Sequence, residues 1–223
     1  MEKMSYSVAS PAQSALATNK VIKNTFALLS MTLLFSALTA GLSMAFNWPH
    51  PGIILTLVGF YGLLFLTAKT ANSGWGLLSV FALTGFMGLT IGPIISSYLT
   101  MFSNGSELVM LAMGGTGVIF LGLSGYALST RKDFSFMGGF LMVGLFVVLG
   151  AALLNIFLAV PALSLAISAG IVLVMSGLIL YETSSIIHGG ETNYIMATAS
   201  LFLSILNLFQ ALLHLLGAFS SDD

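Results

Sequence analysis

Residues 134–181 read FSFMGGFLMVGLFVVLGAALLNIFLAVPALSLAISAGIVLVMSGLILY and contain no Asp, Glu, Lys or Arg. A helix needs about 20 apolar residues to cross the hydrocarbon core of a bilayer, so this stretch is long enough for two crossings. Pro161 lies near its middle. Proline fits the first turn of a helix, because the amide hydrogen that it lacks would be unbonded there anyway. The stretch therefore predicts two consecutive transmembrane helices.

The same pattern continues over the rest of the chain. Of its 223 residues, 57% are hydrophobic and only 6% are charged, whereas a soluble domain carries about 25% charged residues. Short polar segments divide the apolar runs into seven predicted helices, at about 25–46, 53–69, 75–95, 107–129, 136–158, 161–187 and 194–218. Lipid offers the backbone no hydrogen bonds, so continuous runs of this length indicate helices and not a β-barrel. We predict an all-α membrane protein.

The predicted domain organisation has three parts. Residues 1–23 are polar and rich in small residues and read as a cytosolic tail, 24–219 as the transmembrane domain, and 220–223 as a short acidic C-terminus. Gly92-Pro93 is expected to kink or end the third helix, followed by a polar loop at 98–106.

The basic residues predict the orientation. With seven crossings, all six Lys and Arg fall on one side of the membrane: Lys3, Lys20, Lys23, Lys69, Arg131 and Lys132. The positive-inside rule then places the N-terminus in the cytoplasm and Asp222-Asp223 on the other side.

Several function classes find no support in the sequence. The net charge of -1 argues against nucleic-acid binding, and the absence of Cys excludes disulfides and thiolate chemistry. No HExxH, Walker loop or GxSxG motif occurs, and the three His and seven acidic residues are scattered. We expect no enzyme activity, no cofactor and no assured metal site.

Glu182 is the most informative side chain. It lies about five residues before the predicted end of helix 6, where an unpaired carboxylate in the apolar zone costs several kcal/mol. We expect it to face the bundle interior, neutralised by a proton or by a nearby cation. The alternative is that helix 6 ends early and Glu182 is merely interfacial. Lys69 ends helix 2 at a similar depth and either pairs with Glu182 or extends to the headgroups.

Helix 7 carries a polar stripe. Spacings of four, three, four and three place one set of residues on a single face: Ser200, Ser204, Asn207, Ala211 and His214. Gln210 lies beside this stripe. Polar side chains in a membrane helix face protein or a water-filled cavity, so the stripe predicts either a conduit or latch or hydrogen bonds between helices. It also leaves open a re-entrant path for helix 7.

Two further features have competing interpretations. His188 and Glu191 flank the loop between helices 6 and 7, where they are either a pH sensor or ordinary solvated polar residues. The glycines of Gly88-Leu89-Thr90-Ile91-Gly92 are typical of a small-residue packing face between helices.

Several stretches resemble the Bax inhibitor-1 family. Residues 177–187, GLILYETSSII, resemble its signature, and residues 200–209, SLFLSILNLF, resemble its last helix. The resemblance extends to 70–72, 130–133 and 188–194, which are similar to bacterial inner-membrane members. It implies six helices around a central C-terminal helix, in the bacterial inner membrane.

The resemblance implies two candidate functions. Some bacterial relatives associate with and restrain the membrane-anchored AAA protease FtsH; others are pH-sensitive calcium leak proteins with an acid in each of helices 6 and 7 near a basic residue of helix 2. Glu182 matches the first acid, Ser204 stands where the second would be, and Lys69 matches the basic position.

Ser204 decides between these functions at the sequence level. One carboxylate and a hydroxyl cannot share a proton as two acids do, and a hydroxyl adds no formal charge for a divalent cation. We therefore expect an FtsH modulator embedded in lipid. The alternative is a leak that handles calcium or protons through Glu182, and a structural assembly factor is a third possibility.

Overall fold

The structure, a computed structural model, describes residues 11–220; the predicted acidic end at Asp222-Asp223, Lys3 and the start of the predicted tail lie outside the described residues. Residues 11–220 form seven helices: α1 (Pro11–Ala45), α2 (Ile53–Thr70), α3 (Trp75–Met101), α4 (Gly105–Thr130), α5 (Met137–Leu158), α6 (Pro161–Ile187) and α7 (Tyr194–Ser220). Each is long and apolar enough to cross a membrane. The predicted all-α membrane fold is confirmed.

The first helix begins earlier than the sequence predicted. We expected a start near residue 25, whereas α1 begins at Pro11, so the described part of the predicted tail is helical. Residues 11–24 are polar but contain several alanines, which favour helix, and no residue that would break one. Val21 and Ile22 already pack against the core of the bundle. The polar composition of residues 11–24 predicted where the membrane segment of α1 begins, but it did not predict where the helix itself begins.

The expectation that Pro93 ends the third helix is wrong, because α3 continues through it to Met101. Proline has no N–H, so the carbonyl of Leu89, four residues earlier, loses its helical donor. Ser43 of α1 replaces that donor: its hydroxyl donates to the Leu89 carbonyl oxygen at 3.0 Å. The expected loop at 98–106 therefore shrinks to the residues between α3 and α4.

The glycine pair of α3 lets this bond form. A Cβ on Gly92 would lie 2.7 Å from the carbonyl oxygen of Ala40, and one on Gly88 would overlap the carbonyl oxygen of Ser36. Only glycine allows backbones to approach this closely. The predicted packing face is confirmed, and it joins α3 to α1.

The last helix lies at the centre of the bundle. α7 contacts α1, α2, α3, α4 and α6, and its buried residues include Phe202 and Leu208. α5 departs from the simple picture of six surrounding helices, since it contacts α6 alone. Its one buried side chain is Leu141, which packs over Gly177 of α6, and most of its large apolar side chains are exposed. The 27 residues of α7 form one continuous helix of about 40 Å, so no re-entrant path is needed.

Candidate functional site

The structure brings Glu182 and Ser204 together. The Ser204 hydroxyl of α7 donates to Oε2 of Glu182 on α6 at 3.0 Å. Ser204 is only 3% exposed and Glu182 is partly buried. Helix α6 continues five residues past Glu182 to Ile187, which places the carboxyl about 7.5 Å inside the end of the helix. Glu182 thus faces another helix of the bundle and is not at a frayed terminus.

A second polar contact lies beside this pair. Thr183, which is fully buried, shares a hydrogen bond of 3.2 Å with Ser124 of α4. Consecutive α6 residues therefore reach two different helices, Glu182 towards α7 and Thr183 towards α4. The sequence analysis missed Ser124 and Thr183, because lone hydroxyl residues are common in membrane helices and carry no signal of their own.

The chemistry of the pair is that of one acid and one hydroxyl. Among the described residues, no group of three or more His, Cys, Asp or Glu is placed to hold a metal ion. Ca²⁺ takes six to eight oxygen ligands, whereas this site offers a single carboxyl and one hydroxyl that is already donating. The arrangement suits a hydrogen bond that fixes α6 against α7.

The predicted pairing of Lys69 with Glu182 is wrong. Lys69 is exposed in the last turn of α2, and α2 packs against α3 and α7 without touching α6. Within residues 11–220, no ion pair joins the two side chains. The similar depth expected from the sequence did not bring them together, since α2 and α6 each contact α7 but do not contact each other. The second interpretation, in which the lysine extends towards the headgroups, fits its exposure.

The polar stripe of α7 makes one further contact with α6. Nδ1 of His214 lies 2.8 Å from the Ser168 hydroxyl. Asn207 is exposed and donates through Nδ2 to the carbonyl oxygen of Leu203 in its own helix. Ser200 and Gln210 are partly exposed, and Ala211 is buried. Hydrogen bonds between helices therefore account for Ser204 and His214, while a conduit along the stripe stays a prediction.

His188 joins the end of α6 to the turn between α4 and α5. Its Nδ1 lies 2.9 Å from the carbonyl oxygen of Ser184, and its Nε2 lies 3.1 Å from that of Arg131. Which of the two ring nitrogens donates depends on the tautomer of the imidazole. Glu191 accepts from the backbone N–H of Asn193 at 2.7 Å. Both residues hold loop structure, and pH sensing by them stays a prediction.

Asn193 connects a third loop, which the sequence analysis did not predict. Its Oδ1 accepts from the N–H of Ile195 at 2.9 Å and so caps α7. Its Nδ2 donates to the Ala71 carbonyl oxygen at 3.0 Å and to Oδ1 of Asn72 at 2.8 Å. Asparagine before an apolar run is a known cap signal, which could have revealed the first role. The three loops 71–74, 131–136 and 188–193, named here the loop cluster, are thus hydrogen-bonded together at one end of the bundle.

Comparisons with known proteins agree with this architecture. The model of the family described as "Inhibitor of apoptosis-promoting Bax1" matches residues 18–221. The chain is 55% identical to "Modulator of FtsH protease YccA" of Escherichia coli strain K12 over 209 residues, 94% of each chain. It is equally similar to the "Inner membrane protein YccA" of another E. coli strain. An uncharacterised protein of Pseudomonas aeruginosa is 50% identical over the full length of both chains. The resemblance noted in the sequence is therefore confirmed: the chain belongs to the Bax1-I family.

Proposed function

We propose that this protein is a multi-pass inner-membrane regulator that associates with the FtsH protease and restrains it. The observation that carries the proposal is the 55% identity, over 94% of both chains, to an E. coli protein named as a modulator of FtsH protease. The relatives compared above are named as a modulator or as membrane or uncharacterised proteins. A regulatory role without catalysis is consistent with those names.

The proposed contact surface is the loop cluster. The described basic residues lie at this end of the bundle: Lys20, Lys23, Lys69, Arg131 and Lys132. Their common location supports a cytoplasmic position for the loop cluster and for the start of α1. Hydrogen bonds already order these loops. The loops would therefore lose little conformational entropy when a partner binds them.

The centre of the bundle supplies the second part of the proposal. An inhibitor of a protease that extracts membrane proteins has to resist extraction itself. Helix α7 is held by five neighbouring helices and by the Ser204–Glu182 hydrogen bond. Removing any one of these helices breaks contacts with the centre, so the bundle is expected to open as one cooperative unit.

The test is degradation of a membrane substrate by purified FtsH in proteoliposomes with ATP, with and without this protein. We expect slower degradation and co-purification of the two proteins. Asn193→Ala, which opens the loop cluster, should weaken the inhibition. Asn104→Ala is the matched control, since Asn104 bonds Ser220 at the opposite end of the bundle. Unchanged degradation together with no co-purification would exclude the proposal.

The same liposomes address the calcium-leak alternative, which no comparison favours. A calcium-sensitive dye inside vesicles that contain this protein alone would report any flux between about pH 6 and 8, the range in which histidine titrates. A flux that Glu182→Gln abolishes would favour transport, and we expect none.

A further inference from the structure

A cavity of about 370 Å³ lies between α1 and α4, away from the Glu182–Ser204 pair. Its floor is a face of α7 that includes Phe202 and Phe209, both less than 9% exposed. Its back wall is α3, through Ile91. The cavity is thus enclosed by four helices.

The cavity opens sideways. The backbones of α1 and α4 do not approach each other closely. Leu34 and Met113 line the cavity from the two sides of the gap and are 72% and 58% exposed. The rings of Phe26 and Phe120 close one end of the gap, with 6.1 Å between their centroids. Gly117, on the wall, is at the middle of α4, so the opening faces the hydrocarbon core near mid-depth.

The lining favours hydrocarbon over water. None of the described residues that line the cavity is charged, and the two among them that carry a hydroxyl are Ser36 and Thr116. The Thr116 hydroxyl already donates to the Ala112 carbonyl oxygen at 2.7 Å. A buried water needs two to four polar partners, and apolar cavities stay dry.

The position of the opening favours an acyl chain. The gap lies near mid-depth between two helices that are long and apolar enough to cross a membrane, so phospholipid acyl chains surround it in any bilayer. We propose that the cavity binds one acyl chain of a bilayer phospholipid, which enters between α1 and α4 and rests on the aromatic floor of α7.

The test uses the full-length protein in vesicles that contain phosphatidylethanolamine with a diazirine at the middle of one acyl chain. After illumination, mass spectrometry locates the crosslinks. We expect crosslinks on the four floor side chains that line the cavity, all of which are buried: Phe202, Ile205, Leu206 and Phe209. A lipid with the diazirine next to the headgroup should not label these side chains, because the opening lies near mid-depth.

Two glycine variants give a matched comparison. A Cβ on Gly117 meets nothing within 4 Å, and Gly117 lines the cavity, so the side chain of Gly117→Leu is expected to extend into it. Gly114, on the same helix but outside the cavity lining, also has open space around its Cβ. Both changes raise helix propensity equally. Leucine at 117 displaces at least two methylene groups of the bound chain, which predicts a loss of floor crosslinking of roughly tenfold. Gly114→Leu should label like the parent protein.

The proposal is overturned if the floor of the parent protein is unlabelled, or if the two glycine variants label equally. Should Gly117→Leu fail to fold, the two lipid probes still decide in the parent protein. Floor labelling by the mid-chain probe alone supports the proposal, and equal labelling by both probes contradicts it.

Discussion

The hydrogen bond from Ser43 to the carbonyl of Leu89 allows a quantitative prediction. Most carbonyls in α3 accept from the backbone N–H four residues later, but Leu89 cannot, because that residue is Pro93. The Ser43 hydroxyl stands in for the missing donor at 3.0 Å, and Ser43 itself is only 1% exposed. Ser43→Ala should therefore leave a carbonyl at the contact of α1 and α3 without a partner.

The expected cost follows from this geometry. Hydrogen bonds between membrane helices contribute about 0.6 kcal/mol on average and up to about 1.7. The Leu89 bond belongs at the upper end, since a buried unsatisfied group costs about 1–3 kcal/mol. We predict a loss of about 1.5 kcal/mol, roughly a tenfold rise in the unfolded-to-folded ratio.

The assay is equilibrium unfolding in mixed micelles with increasing SDS, followed by circular dichroism. Ser30→Ala is the matched control on the same helix. Its hydroxyl donates to the Phe26 carbonyl in an exposed position, and that carbonyl keeps its helical N–H donor. We expect the control to cost less than about 0.5 kcal/mol.

A double-mutant cycle isolates the cause. Pro93→Ala restores the missing N–H, so Ser43→Ala should cost about 1 kcal/mol less in that background. An equal cost in both backgrounds would refute the reasoning, as would a Ser43→Ala effect no larger than that of Ser30→Ala.

Three other predictions concern the buried pair, the α4–α5 turn and the α1–α3 contact. Ser204→Ala should lower the free energy of unfolding by about 1–2 kcal/mol in the same SDS assay, because the Glu182 carboxyl loses its hydrogen-bond donor. The backbone N–H and the hydroxyl of Ser135, with a smaller contribution from the charge of His188, hold the pKa of Asp133 below its usual value. The stability that this carboxylate contributes is present above the ordinary pKa of an aspartate and is lost as the pH falls through the lower pKa of the folded state. Corrected hydrogen exchange at Ser135 should therefore accelerate there, and Asp133→Asn should remove the dependence. Gly88→Leu should destabilise the protein by about 1–3 kcal/mol or more, because its Cβ would overlap the α1 backbone.

Each of these has a control or a contradicting result. Glu182→Gln keeps an acceptor for the Ser204 hydroxyl and should cost less than Glu182→Leu; the reverse order would contradict the assigned bond. Gly41→Leu places a Cβ in open space and should be nearly neutral. If hydrogen exchange at the Ser135 amide does not change on acidification, the hydrogen bonds to Asp133 form equally well without its charge.

The candidate site was only partly predictable. The depth of Glu182 follows from counting residues along an apolar helix, and the similarity to a known family pointed to Ser204 as its counterpart. Counting could not decide whether Lys69 or Ser204 reaches the carboxyl, since it says nothing about which helices are neighbours. The structure answers this through α7, which lies against α6, whereas α2 does not.

The boundaries of α1 and α3 were also only partly predictable. Hydrophobicity indicates which side chains favour lipid over water, so it located the membrane segments. A helix, however, continues wherever its backbone groups are satisfied. In the Ala-rich polar segment at the start of α1, the backbone groups bond to one another within the helix. In α3, the hydroxyl of Ser43 on α1 supplies the donor that Pro93 lacks.

The sequence by itself therefore determined the number of apolar helices, their order and the position of each polar residue along its helix, because burial of apolar side chains in lipid depends on composition along one axis. Only the tertiary structure decided which polar groups meet, how α3 passes through its proline and where the cavity between α1 and α4 lies. Those features depend on the rotation and neighbours of each helix, and directional hydrogen bonds and close glycine contacts set these once the helices have assembled.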